Sequence, residues 1–145
     1  MKISKLRLPT VVCSTDWEMR LVNGGSSLEG RLEVCLNGVW GTICDQSWDD
    51  TDAGVVCSQI GYSARGKVLF LNFIHQLIII VGSVARRSAY FDEGFGPVQF
   101  TSFQCNGTET RLRDCPYTTQ NSCTHSADAG VTCVGELYLN FLEFE

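Results

Sequence analysis

The sequence is short of what catalysis, nucleic-acid binding and membrane crossing require. Lysine and arginine number 11 against 16 acidic residues, a formal charge of −5. A surface that acidic repels phosphate backbones and anionic lipid, so neither is an expected partner. There are two histidines, His75 and His125. His75 lies among apolar residues and is not expected to be a ligand. His125 has Ser126 and Asp128 close by, but sequence neighbours rarely reach triad geometry, and no nucleophile, base and orienter set is evident. No enzyme activity and no cofactor are expected. No two cysteines come closer than eight positions, which excludes the paired C-x-x-C spacing of thiolate zinc sites. Internal repeats are absent. So is an apolar run of the roughly 20 residues that a membrane helix needs.

What the chain does have is eight cysteines in 145 residues. An even count without metal spacing reads as a disulfide framework, and disulfides imply an oxidising, extracellular setting. The opening MKISKLRLPTVVCS has the basic start of an export signal but no apolar stretch behind it. The simplest expectation is that this chain is part of a longer exported protein. Charge is uneven. Lys2, Lys5 and Arg7 precede the first cysteine, while Glu136, Glu143 and Glu145 follow the last.

Patterning predicts an α+β domain of short strands around one helix. RLEVCLNGVWGTIC (31–44) is a hairpin: Leu32, Val34 and Leu36 alternate with Arg31, Glu33 and Cys35, and Asn37-Gly38 supplies a two-residue turn. A helix follows, with Asp49 or Asp50 as N-cap, Asp52 near the positive end of its dipole and Gly61 as its stop. Ala53, Val56, Cys57 and Ile60 share its buried face. Val98 and Phe100 read as a strand, 110–115 as one helical turn blocked by Pro116, and 129–134 as a closing strand. Asn106-Gly107-Thr108 is an N-glycosylation sequon on a turn.

One segment disagrees with its surroundings. KVLFLNFIHQLIIIVGSVARR (67–87) is largely apolar, too short to span a membrane, and contains the uncharged β-prone window LIIIV. An insertion foreign to the domain, a buried element and a membrane contact all remain open readings at this stage.

The blocks R-L-V (20–22), EGRLEV (29–34), W-G-T-I-C (40–44), D-A-G-V-V-C (52–57), A-Y-F (89–91), G-P (96–97), D-C-P (114–116) and H-S-x-D-A-G-V-x-C (125–133) carry a resemblance. Together they make residues 19–133 similar to the scavenger receptor cysteine-rich domain. The resemblance implies a curved sheet of about six strands cradling one helix. It leaves 1–18 as an N-terminal extension or linker and 134–145 as a tail. It also makes 67–87 an insertion, since relatives run directly from the 61–66 turn to A-Y-F.

The same resemblance implies the pairings Cys44–Cys123, Cys57–Cys133 and Cys105–Cys115. Tyr62 stands where some members have a further cysteine, which places the chain in the six-cysteine group. The remaining Cys13 and Cys35 are expected to pair, as in some tandem-array members. Members that bind calcium use adjacent aspartates after the W-G-T-x-C block and a glutamate in the H-S block. Here Asp45 is a remnant of that set, Gln46 and Ala127 replace the other two carboxylates, and no metal is expected. The implied function is an extracellular or cell-surface ligand-binding module of a scavenger-receptor-like multidomain protein, with an extracellular protein or surface ligand as partner. Any membrane association would come through other parts of the parent protein. The alternative is a non-catalytic accessory domain of a secreted enzyme such as a lysyl oxidase-like protein or a protease.

Overall fold

The computed structural model describes residues 12–62, 68–71, 76–80, 82–133 and 136–140. Strands β1 (Met19–Val22), β2 (Glu29–Leu36) and β3 (Val39–Ile43) open the chain. Asn37 and Gly38, at φ 53° and 78°, make the β2–β3 turn. Helix α1 (Asp50–Gln59) follows. Asp49 caps it and exchanges hydrogen bonds with Asp52: each backbone N–H donates to the other's carboxylate at 3.0 Å. Past the helix, Gly61 takes φ 103°, where a side chain would be strained.

Next in the chain are β4 (Val68–Leu71), β5 (Gln76–Ile80), β6 (Val84–Arg86), β7 (Val98–Phe100), β8 (Gly130–Thr132) and β9 (Glu136–Asn140). The main sheet runs β6-β8-β2-β3-β7, with β1 also pairing β2. It is mixed, because β3 and β7 are parallel. The result is a six-stranded curled sheet around one helix. Leu32, Val34, Ile43, Trp48, Val56, Phe100, Phe103, Leu112 and Val131 fill the space between them. The indole of Trp48 donates to Gly130 O at 2.9 Å, so its one polar atom is satisfied inside that core.

Two observations bear on how the chain divides. Strands from the segment 67–87 fall in two different sheets. Its start supplies β4 and β5; β5 pairs with β4 on one side and with β9 from the tail on the other, as a separate antiparallel sheet. Its end belongs to the domain: β6 pairs with β8, Ala85 N donates to Asp50, and the Arg87 Nε donates to Trp48 O at 2.7 Å. The N-terminal extension also reaches the core, since Trp17 stacks on Phe100 with centroids 4.5 Å apart and meets Tyr117 edge-on. Val68–Val81 holds the apolar run, and the part of it within β4 and β5 is strand. Asn72 and His75 lie outside the described residues. Among the described residues, no helix is long and apolar enough to cross a membrane.

Four disulfides join Cys13–Cys35, Cys44–Cys123, Cys57–Cys133 and Cys105–Cys115. Cys57 ties the helix to the residue after β8, and Cys13 ties the N-terminal segment to β2.

Candidate functional site: a clamped aromatic loop

Strand β2 is buried on both faces. Leu32 and Val34 enter the core, while Arg31 and Glu33 lie under a covering layer on the other side. A buried charge must be paired, and these are. The Arg31 guanidinium makes a two-point contact with Glu33 at 3.1 Å. Arg20 reaches the other Glu33 oxygen at 2.7 Å while its guanidinium lies 4.2 Å above the Trp40 ring. Arg31 has donors left over, and its Nη1 gives hydrogen bonds to the carbonyls of Phe91 and Asp92, both at 3.0 Å.

Those carbonyls belong to the loop 88–97, SAYFDEGFGP, which is the layer covering this face. Ser88, Ala89 and Asp92 all have φ between 51° and 69°, a conformation that L-residues adopt only when their surroundings hold them. The holders are groups from several elements. Ser88 N donates to Asp45 Oδ2 at 2.7 Å, and Ala89 N donates to the Asp128 carbonyl. Gly94 N donates to the Asp128 carboxylate at 2.7 Å. The Nε2 of His125 contacts Gly96 O at 2.9 Å, and its Nδ1 contacts the Asp128 carboxylate at the same distance. While its backbone is fastened this way, the loop leaves Tyr90 60% and Phe95 81% exposed.

Several sequence candidates meet at this site in roles other than those first considered. Asp45 anchors Ser88. Its own N–H donates to Ala127 O at 2.8 Å, so positions 45, 46 and 127 do sit together. The arrangement around His125 is a brace for the loop. Ser126 Oγ contacts Thr124 Oγ1 at 2.6 Å, and the second imidazole nitrogen faces a backbone carbonyl, where a triad would need a nucleophile. Among the described residues, Cys105, Glu109 and Cys115 have ligand-type atoms within 4.8 Å of one another, but both sulfurs are bonded to each other and offer no thiolate. The Glu109 carboxyl is instead held below its usual range by N–H groups, first that of Asn106. Asn106 is exposed on its turn and accepts from both the N–H and the hydroxyl of Thr108.

Sequence reasoning had A-Y-F and G-P only as motif blocks and missed the loop between them as a surface. A bulky aromatic set between two glycines, Gly94-Phe95-Gly96, was the available signal.

Residues 22–134 match the profile of the Scavenger receptor cysteine-rich domain. The chain belongs to this family. A scavenger receptor cysteine-rich domain superfamily protein of Patiria pectinifera is 37% identical over 124 residues, 84% of this chain. Galectin-3-binding protein of Pongo abelii is 37% identical over 123 residues, 83% of this chain. The chain spans only 10% and 18% of the length of those two relatives. Among solved structures, the third SRCR domain of murine neurotrypsin is 40% identical with a TM-score of 0.65, covering 80% of this chain and 94% of that one. The dimeric form of the mouse MARCO SRCR domain is 36% identical with a TM-score of 0.56, covering 72% and 85%. Both share the one-helix, curled-sheet architecture described above.

Proposed function

We propose that this scavenger receptor cysteine-rich domain is a non-catalytic binding module that works outside the cell, within a longer multidomain protein, and that its ligand is a protein. The observation that carries this is the loop 88–97, fastened from beneath by Arg31, Asp45, His125 and Asp128 while Tyr90 and Phe95 are exposed. A recognition surface held in place before binding loses little conformational entropy on binding. The four disulfides support an oxidising location. An accessory domain beside a catalytic one would ask the same of this chain, namely to bind.

The test is to secrete the chain behind a heterologous leader, multimerise it and apply it to a panel of purified ectodomains. Saturable binding that disappears on reduction and alkylation is expected. A folded, oxidised protein that binds nothing on the panel removes this reading.

Two further proposals concern sites. Asn106 carries an N-linked glycan on the secreted protein, read as a mass loss on glycosidase treatment that Thr108→Ala abolishes. Calcium is not a structural ligand, because Gln46 and Ala127 stand at the two positions where the resemblance implies further carboxylates with Asp45. Millimolar calcium should leave the wild-type melting temperature where chelator leaves it, and should raise that of the Gln46→Asp, Ala127→Glu double variant. A wild-type rise of several degrees would contradict this.

A further inference from the structure

Phe95 is the most exposed large apolar side chain among the described residues. Its position follows from its two neighbours. A Cβ on Gly94 would lie 2.6 Å from the Thr42 methyl and 2.9 Å from Arg31 Nε, so the backbone there lies flat on the sheet's second face. Gly96 has φ 81°, which favours glycine. One glycine is required for space and the other for conformation, and the ring between them stands exposed. Asp92 and Glu93 are exposed beside it, and among the described residues neither carboxylate has a hydrogen bond or an ion pair. The nearby cation Arg86 is already engaged, with its guanidinium 4.5 Å over the Tyr90 ring and its Nε donating to Thr132 Oγ1.

We infer that this loop docks a protein partner presenting a lysine or arginine beside an apolar side chain. The inference rests on the binding-module reading and adds to it the place and the partner's chemistry. Phe95 takes the apolar group, or the flat side of a guanidinium. Asp92 and Glu93 take the cation, and the rigid aromatic anchor supplies contact area at little entropic loss. Anionic ligands meet the acidic pair and are repelled. A second copy of this chain would bring the same acidic pair to the interface along with a net charge of −5.

The experiment selects a phage-displayed library of random twelve-residue peptides on the oxidised full chain. Enriched peptides should pair Lys or Arg with an aliphatic or aromatic residue and bind less tightly as salt rises. They should lose at least tenfold in affinity against Phe95→Ser and several-fold against Asp92→Asn with Glu93→Gln. Val12→Ser, at another exposed apolar position, should leave affinity unchanged. Melting temperatures of all variants report that the fold is retained. Enriched peptides that are acidic, or that bind Phe95→Ser as tightly as the parent, overturn the inference and leave the module reading standing. Self-association that Phe95→Ser abolishes overturns it in favour of a second copy. Failure to enrich any peptide overturns it as well, whereas the module reading falls only if the ectodomain panel also fails.

Discussion

Asp52 lies at the first turn of α1, fully buried, with one carboxylate oxygen accepting from Asp49 N and the other from Cys105 N at 2.9 Å. It therefore caps the helix and also fastens the helix to the Cys105–Cys115 loop. Burial pushes its carboxyl up to about 6 from 3.8, outweighing the two N–H donors, and the neighbouring Asp49 charge adds to the rise. Because the folded value lies above the unfolded one, the folded state binds more protons between about pH 4 and 6. Stability from this residue is thus present in full below pH 4 and is lost as pH rises through 6. In Asp52→Asn that dependence vanishes. The stability difference between wild type and variant should move in favour of wild type by on the order of 2 kcal/mol as pH falls from 7 to 4. Denaturant midpoints of both proteins at the two pH values check this, and a pH-independent difference would refute it. Taken from the sequence, Asp52 was a dipole partner near a helix start. Nothing local said that its carboxylate is buried, because the group that covers it comes from position 105.

Elements with short-range signals were legible in the sequence. The β2–β3 hairpin follows from alternation and Asn37-Gly38, and α1 follows from its cap, its spaced apolar residues and Gly61. The loop 88–97 was not legible as a surface, for a physical reason. Its shape is set by Arg31, Asp45, His125 and Asp128, which are remote in sequence, and in β2 Arg31 and Glu33 alternate with apolar residues as they would on a solvated face. That face is dry because the loop covers it. The packing there is tight enough to test with one methyl group. Gly94→Ala places a Cβ into Thr42 and Arg31, and overpacking of this kind costs about 1–3 kcal/mol. The variant should melt lower and, by displacing the loop, lose binding to any ligand that depends on Phe95. An unchanged melting temperature would mean that the loop is not seated on the sheet.

At the scale of the molecule, the bridges Cys44–Cys123 and Cys57–Cys133 span 79 and 76 residues, so each encloses everything from 57 to 123. Loop-closure arguments give each about 4 kcal/mol, which lets a domain with one helix tolerate an added segment inside the enclosed chain. The resemblance implies that segment as 67–87. Arg86 and Arg87 look like the basic flank of an apolar run, yet they belong to β6 and to the Trp48 clamp. Two deletions separate the readings. Removing 67–81 keeps β6, and the chain can still close. Ala85 N bonds Asp50 at the start of α1, so Tyr62 lies roughly one helix length away, about 15–18 Å. The seven Cα steps left between Tyr62 and Val84 reach about 24 Å. This deletion should keep the melting temperature within about 2 °C and raise soluble, oxidised yield, since it removes the LIIIV window. Removing 67–87 also strips the edge strand from β8 and frees the Asp50 and Trp48 acceptors. Its melting temperature should fall by several degrees more. If both deletions melt alike, β6 is not part of the working sheet, and the domain resumes only at Ser88.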